Sequence, residues 1–200
     1  MSWSVLPLQC PPSASDFADL VSVLRACVEG GASLGYLLGI SEAEAAAYWA
    51  RIVAEAAEGK RLLLVARDDT GRIIGTAQAA WESRPNGRHR AEVQKVLVFP
   101  RHRRKGIARA LMEEVETRAK ARGVRLLFLD TSVGRGGAEA LYGALGYTCI
   151  GGIPGYALDP DGTPADNAIY YKALGACGSD SSIAAPRSQS HEPLAPRTAR

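Results

Sequence analysis

Arg101-His102-Arg103-Arg104-Lys105-Gly106-Ile107-Ala108-Arg109-Ala110-Leu111 lies between two patterns of different period. Before it, Val93 to Pro100 is an apolar run that reads as a strand; after it, Ala108 to Arg122 reads as an amphipathic helix. A basic, glycine-containing turn at the mouth of a helix gathers backbone N–H groups that have no intrahelical partner. The helix dipole adds about half a positive charge at the same place. Such a turn favours phosphate or pyrophosphate and points to a phosphorylated cofactor.

The pattern around the turn predicts a crossover unit. A strand over 91–99, a helix over 106–122 and a strand over Val124 to Leu129 have short connections, so the two strands are expected to be parallel neighbours. Ile107, Leu111, Val115 and Ala119 give the helix one apolar face for the sheet. Glu114 with Arg118 and Glu116 with Lys120 form i,i+4 pairs on the opposite side.

Upstream, Trp3 to Gln9 reads as a first strand closed by Pro11-Pro12, and Ser15 as the cap of a helix from Asp16 to Glu29. Gly30 to Tyr36 reads equally as a helix terminator and as a substrate-facing loop. Ser41 and Glu44 form a capping box for a second helix ending near Glu58. Arg61 to Arg67 and Arg72 to Trp81 read as a hairpin around Asp68-Asp69-Thr70-Gly71. Downstream, Gly137 to Leu145 reads as a short helix stopped by Gly146. Tyr147 to Gly151 and Ala168 to Lys172 read as closing strands, joined by the loop 152–167. Residues 1–174 form one domain on this reading, and 175–200, rich in Ser, Ala, Pro and Arg, read as a disordered tail.

Composition bounds the function. The chain has 200 residues, is 46% hydrophobic and carries a net charge of +3, so a real core is expected and nucleic acid is not. Cys10, Cys27, Cys149 and Cys177 show no metal spacing; four scattered thiols fit a reducing cytoplasm, and no metal is expected. No apolar run is long enough to span a membrane, and the N-terminus does not read as a signal peptide. His89 and His102 read as surface residues, and Asp159-Pro160-Asp161-Gly162 as a turn rather than a calcium loop.

Val96-Leu97-Val98-Phe99-Pro100 followed by Arg103-Arg104-Lys105-Gly106-Ile107-Ala108 resembles motif A of the Gcn5-related N-acetyltransferases. Ala140-Leu141-Tyr142-Gly143-Ala144-Leu145-Gly146-Tyr147 resembles a second signature of that family, a tyrosine followed by glycine and an aromatic residue. The element order agrees over about 1–174. Arg104 stands where a glycine is common, Ala108 where a second glycine is commoner, and Val133-Gly134-Arg135-Gly136 where the family often has an asparagine. Gly30 to Gly35, Ala91 to Lys95, Leu129-Asp130-Thr131 and Pro154-Gly155-Tyr156 further resemble the tabtoxin-resistance acetyltransferases, which acetylate an amino-acid-like β-lactam toxin.

The resemblance implies an α/β (α+β) fold: a mixed, largely antiparallel sheet, a splayed parallel strand pair, and helices on both faces. It implies acetyl-CoA as acyl donor, held by Val96, Leu97 and Val98 on the strand and by Arg103, Arg104, Lys105, Gly106, Ile107, Ala108 and Arg109 on the turn. Tyr142 matches the family's general-acid position, where a donor meets the leaving thiolate. An acceptor ammonium must lose a proton before attack, and Asp130 and Glu92 are the two candidate bases. Asp130 is favoured because it is expected at the carboxyl end of its strand. The leading function is N-acetylation of a small amine; acetylation of protein N-termini or lysines, and a non-catalytic acyl-CoA-binding module, stay open. Many members of the family are dimers, and the sequence leaves a homodimer open.

Overall fold

Alternation along one strand sets the layers. Leu63 and Val65 pack with one cluster, Leu64 and Ala66 with another, and the two clusters lie on opposite faces of the sheet. The computed structural model describes residues 2–134 and 137–175; beyond Gly175 the expected disordered tail falls outside the described residues.

The chain runs β1 (Trp3–Pro7), α1 (Ala14–Glu29), α2 (Glu42–Ala57), β2 (Arg61–Asp68), β3 (Ile73–Trp81) and β4 (Arg90–Val98). A 3-10 turn at Pro100–His102 leads to α3 (Ile107–Ala121), β5 (Leu126–Ser132) and α4 (Ala138–Ala144). Then come β6 (Thr148–Cys149), β7 (Ala157–Leu158), β8 (Pro164–Ala165) and β9 (Asn167–Ala173). Seven strands form one sheet in the order β1-β2-β3-β4-β5-β9-β6. Its pairs are antiparallel except β4–β5, the expected crossover. One face carries α1 and α2 over Leu20, Leu24, Trp49 and Ile52. The other carries α3 and α4 over Ile107, Leu111, Val115 and Tyr142. Each large apolar side chain so buried contributes about 1.5–3 kcal/mol.

Several local expectations change. Ser13, not Ser15, caps α1, its Oγ accepting the Asp16 N–H at 3.1 Å. The first strand stops at Pro7. The Ser41–Glu44 capping box is present, with both reciprocal bonds made. Loop 152–167 folds into the β7–β8 hairpin, with Asp159–Gly162 as its turn. The strand read over 147–151 is ladder-regular only at Thr148–Cys149. Glu116 does not pair with Lys120. It is buried, and Lys172 Nζ donates to both its oxygens at 2.8 and 2.7 Å and to Leu145 O at 2.6 Å.

Two departures shape the site. β5 begins later than its apolar run, because Arg125 and Leu126 N–H groups both turn to His89 O (2.7 and 3.1 Å) while the chain is still leaving α3. The strand therefore continues to Ser132, held by β9, and Asp130 lies within it rather than at its end. In β4, Thr76 faces Leu97 but Gln78 faces Gln94, so Lys95 and Val96 together oppose Ala77. This bulge puts Lys95 at φ +48° and bends the strand. Gly75 faces Val98 just past it: a Cβ there would stand 2.8 Å from Leu97 O.

Candidate active site

β4 and β5 pair only at Arg90–Leu126, Ala91–Leu127 and Glu92–Phe128. Past the bulge β4 stays with β3 as far as Val98, and β5 stays with β9 as far as Ser132. The two strands splay, and a gap opens between them.

A cavity of about 690 Å³ runs from the basic turn to this gap. Its lining includes Val96, Leu97, Val98, Arg103, Arg104, Gly106, Ile107, Ala108, Arg109 and Tyr142. Of the residues expected to hold the cofactor, Lys105 alone does not line it. Gly30 to Leu34 close one side and Thr131, Ser132 and the first turns of α4 the other.

The turn is conformationally demanding. Arg104 has φ +61° and Gly106 φ +82°, a region glycine enters freely and other residues at a cost of about 1–2 kcal/mol. A Cβ on Gly106 would meet nothing nearer than Trp3 Cζ2 at 4.0 Å. The first intrahelical bond of α3 is Ala110 N–H to Gly106 O at 3.1 Å. The N–H groups of Ile107, Ala108 and Arg109 precede it, and no side chain caps them. His102, expected at the surface, is buried and edge-on to Phe99, with Arg101 Nε donating to its Nε2 at 3.1 Å. Burial and the neighbouring Lys105 and Arg101 charges hold its pKa below the usual histidine range.

On β4, Phe99 N–H donates to Ile74 O at 2.8 Å. Amides alternate sides along an antiparallel strand, so the Leu97 N–H also turns to β3 and the Val98 N–H turns to the gap. Val98 O accepts from Arg103 Nε at 3.3 Å, which ties the guanidinium to the gap's end. Of Leu97 and Val98, Val98 is therefore the one whose amide is open to the gap.

Leu127 and Leu129 pack with α3 and α4. By alternation Phe128 and Asp130, with Glu92 in register, face the α1–α2 side. Glu92 is half-buried at the last paired rung, and Asp130 is exposed two residues past it. Neither lines the cavity, although Thr131 does. Tyr142 stands on the other face, buried, with its ring 5.5 Å from that of Tyr170 and 5.9 Å from that of Tyr147. Burial first, then the Asp130 charge, pushes its pKa up to about 12.

Among the described residues no His, Cys, Asp or Glu cluster could hold a metal ion, and no helix is long and apolar enough to cross a membrane.

The polar patch around Lys95 escaped the sequence reading. Arg61 Nη1 donates to Gln78 Oε1 at 2.8 Å and Gln94 Oε1 at 2.7 Å, and Tyr48 and Gln78 are hydrogen-bonded. Position 94 alternates with apolar ones, a pattern that reads as solvent-facing, yet Gln94 is tied through Arg61 to Glu55 on α2.

Similar structures repeat this architecture. A phosphinothricin acetyltransferase of Sinorhizobium meliloti, solved in complex with acetyl-CoA, matches with a TM-score of 0.73 and 25% identity, over 94% of this chain and 98% of its own. A ribosomal-protein-alanine N-acetyltransferase of Brucella melitensis shares the fold at a TM-score of 0.69 and 20% identity, over 85% and 99%. An N-acetyltransferase of Staphylococcus aureus Mu50 shares it at 0.72 and 16%, over 88% and 100%. A sequence model of the acetyltransferase (GNAT) family matches residues 33–147, more than half of the chain. With the splayed β4–β5 pair and the glycine turn already in view, the match is decisive: the chain belongs to the acetyltransferase (GNAT) family.

Proposed function

We propose that the protein is an acetyl-CoA-dependent N-acetyltransferase that acts on the amine of a small, amino-acid-like molecule by direct attack in a ternary complex. One observation carries the reading: a single cavity joins the Gly106 turn to the gap between β4 and β5. Acetyl-CoA fits that cavity chemically. Uncapped amides at Ile107 to Arg109 and the Arg103 and Arg104 side chains suit a diphosphate, and the bare Gly106 lets it approach the backbone. When bound, acetyl-CoA supplies an acyl group activated as a thioester.

The residues divide the proton work between the two faces of the sheet. Asp130 or Glu92, on the α1–α2 face, takes the proton from the acceptor ammonium, directly or through water. The Val98 N–H, turned to the gap, donates to the oxygen on which charge develops. A donor of this kind is worth about 3–4 kcal/mol. Tyr142, on the opposite face, stabilises the departing sulfur. Its pKa of about 12 makes full proton transfer to a thiolate of about 8.5 uphill by roughly 5 kcal/mol, so it acts by hydrogen bonding. The 25% identity to a phosphinothricin acetyltransferase supports an amino-acid-like acceptor. The free thiols Cys10, Cys27 and Cys149 support the cytoplasm as the place of work.

Calorimetry with acetyl-CoA followed by a thiol-release assay against amino acids, simple amines and peptides tests this. Heat of binding and turnover on an amino acid are expected. No heat at millimolar acetyl-CoA would end the proposal, and turnover on peptides alone would move it to protein acetylation.

A further inference from the structure

Lys95 stands at the bend of β4 where loop 30–40, α2 and the splay meet. Its Nζ donates to Leu34 O at 2.8 Å and lies 5.9 Å from the centre of the Tyr48 ring. Leu34 lines the cavity and Lys95 does not, so the ammonium stands just behind the cavity wall at this carbonyl. Among the described residues Lys95 makes no ion pair, whereas its cationic neighbours are engaged. Arg61 is paired with Glu55 at 2.7 Å and bonded to Gln78 and Gln94, and Arg51 is paired with the same Glu55 at 2.9 Å. Lys95 is thus a largely desolvated ammonium held by one neutral carbonyl, with donor capacity for two more bonds. Burial and the Arg51 and Arg61 charges lower its pKa, while Asp130 and Glu92 act to raise it. A buried cation with no ion pair at contact distance is costly, and an arriving anion lowers that cost. The backbone there is also in a sparsely populated region, at φ +48°, a condition that gathers at functional sites.

We propose that Lys95 is the specificity residue for the acceptor, binding a carboxylate on the molecule whose amine is turned toward Asp130 and Glu92. The acceptor is then an α-amino acid or a close analogue rather than a simple amine. Carboxylates for its ammonium and an ammonium for its carboxylate stand on one face of the sheet. This rests on the acetyltransferase reading above and names the acceptor class for it.

The test pairs each of the standard amino acids and phosphinothricin with the amine left by removing its carboxylate, in wild type, Lys95→Gln and Lys95→Arg. Glutamine keeps a donor for Leu34 O and loses the charge; arginine keeps the charge. Wild type should prefer a carboxylated acceptor. Lys95→Gln should lose about 10- to 100-fold in KM for it, with kcat and the decarboxylated amine little affected, the range expected of one charge-assisted bond. Lys95→Arg should recover most of the preference. Equal loss on both members of a pair would make Lys95 a strut for loop 30–40 and overturn the proposal, as would a wild type indifferent to the carboxylate. If wild type turns over no acceptor, the acetyltransferase reading fails separately. Calorimetry with phosphinothricin then decides for Lys95: binding by wild type that Lys95→Gln loses supports it, and no difference overturns it.

Discussion

At Tyr142 burial decides the chemistry. A phenol held near pKa 12 keeps its proton over about pH 7 to 10, so its ionisation should add no falling limb to the rate profile there. Tyr142→Phe should lower kcat by about 10²-fold, with acetyl-CoA affinity unchanged by calorimetry. Unaltered turnover would remove the hydroxyl from the mechanism. For the base, Asp130→Asn and Glu92→Gln are compared across pH in the thiol-release assay. The variant that loses activity at neutral pH and regains part of it in alkali, where the acceptor amine deprotonates by itself, identifies the carboxylate. Tyr142 and Gly106 were legible in the sequence because each sits in a motif with fixed spacing. Lys95 was not, because a bulge adds one residue to one strand and leaves no mark on local composition. His102 was misread for a related reason: its burial comes from the turn folding it against Phe99, a contact that adjacent basic residues conceal.

Among the elements, the connection from β4 to α3 is the most exacting. Gly106→Val puts a β-branched residue at φ +82° and places methyl groups where the backbone must be approached. Affinity for acetyl-CoA should fall at least tenfold, and stability to denaturant by about 1–2 kcal/mol. Intact affinity in calorimetry would show that the diphosphate lies elsewhere. The elements themselves followed from apolar period and caps, as in the α2 capping box and the amphipathic α3. Their ends followed less well. β5 is displaced toward its C-terminal end because a tertiary bond, His89 O to the 125 and 126 amides, outweighs the local apolar run. That displacement matters for function, since it places Asp130 inside a strand.

Across the whole molecule, one polar cluster ties the tyrosine helix to the rest. Lys172 on β9 holds both oxygens of Glu116 on α3 and the carbonyl of Leu145 at the end of α4. Lys172→Met leaves Glu116 buried without its cation and should destabilise the fold by about 3–5 kcal/mol in denaturant titration. The double variant Lys172→Met with Glu116→Leu should recover much of that loss. Failure to recover would mean the cluster acts through α4 alone. No local pattern announces such a cluster, because its partners are 27 and 56 residues apart. The α/β layering was legible, since it follows from alternation repeated in strand after strand.

Gly75 faces Val98 just past the β4 bulge and does not line the cavity, yet the strand that does line it rests on this glycine. A methyl group there would press on the Leu97 carbonyl and force β4 to shift next to Val98. The enzyme's tolerance to change is therefore lopsided. The surface loops joined by Leu38 N–H to Pro160 O can drift, while one hydrogen-only position deep in β3 is held by the Leu97 carbonyl beside it.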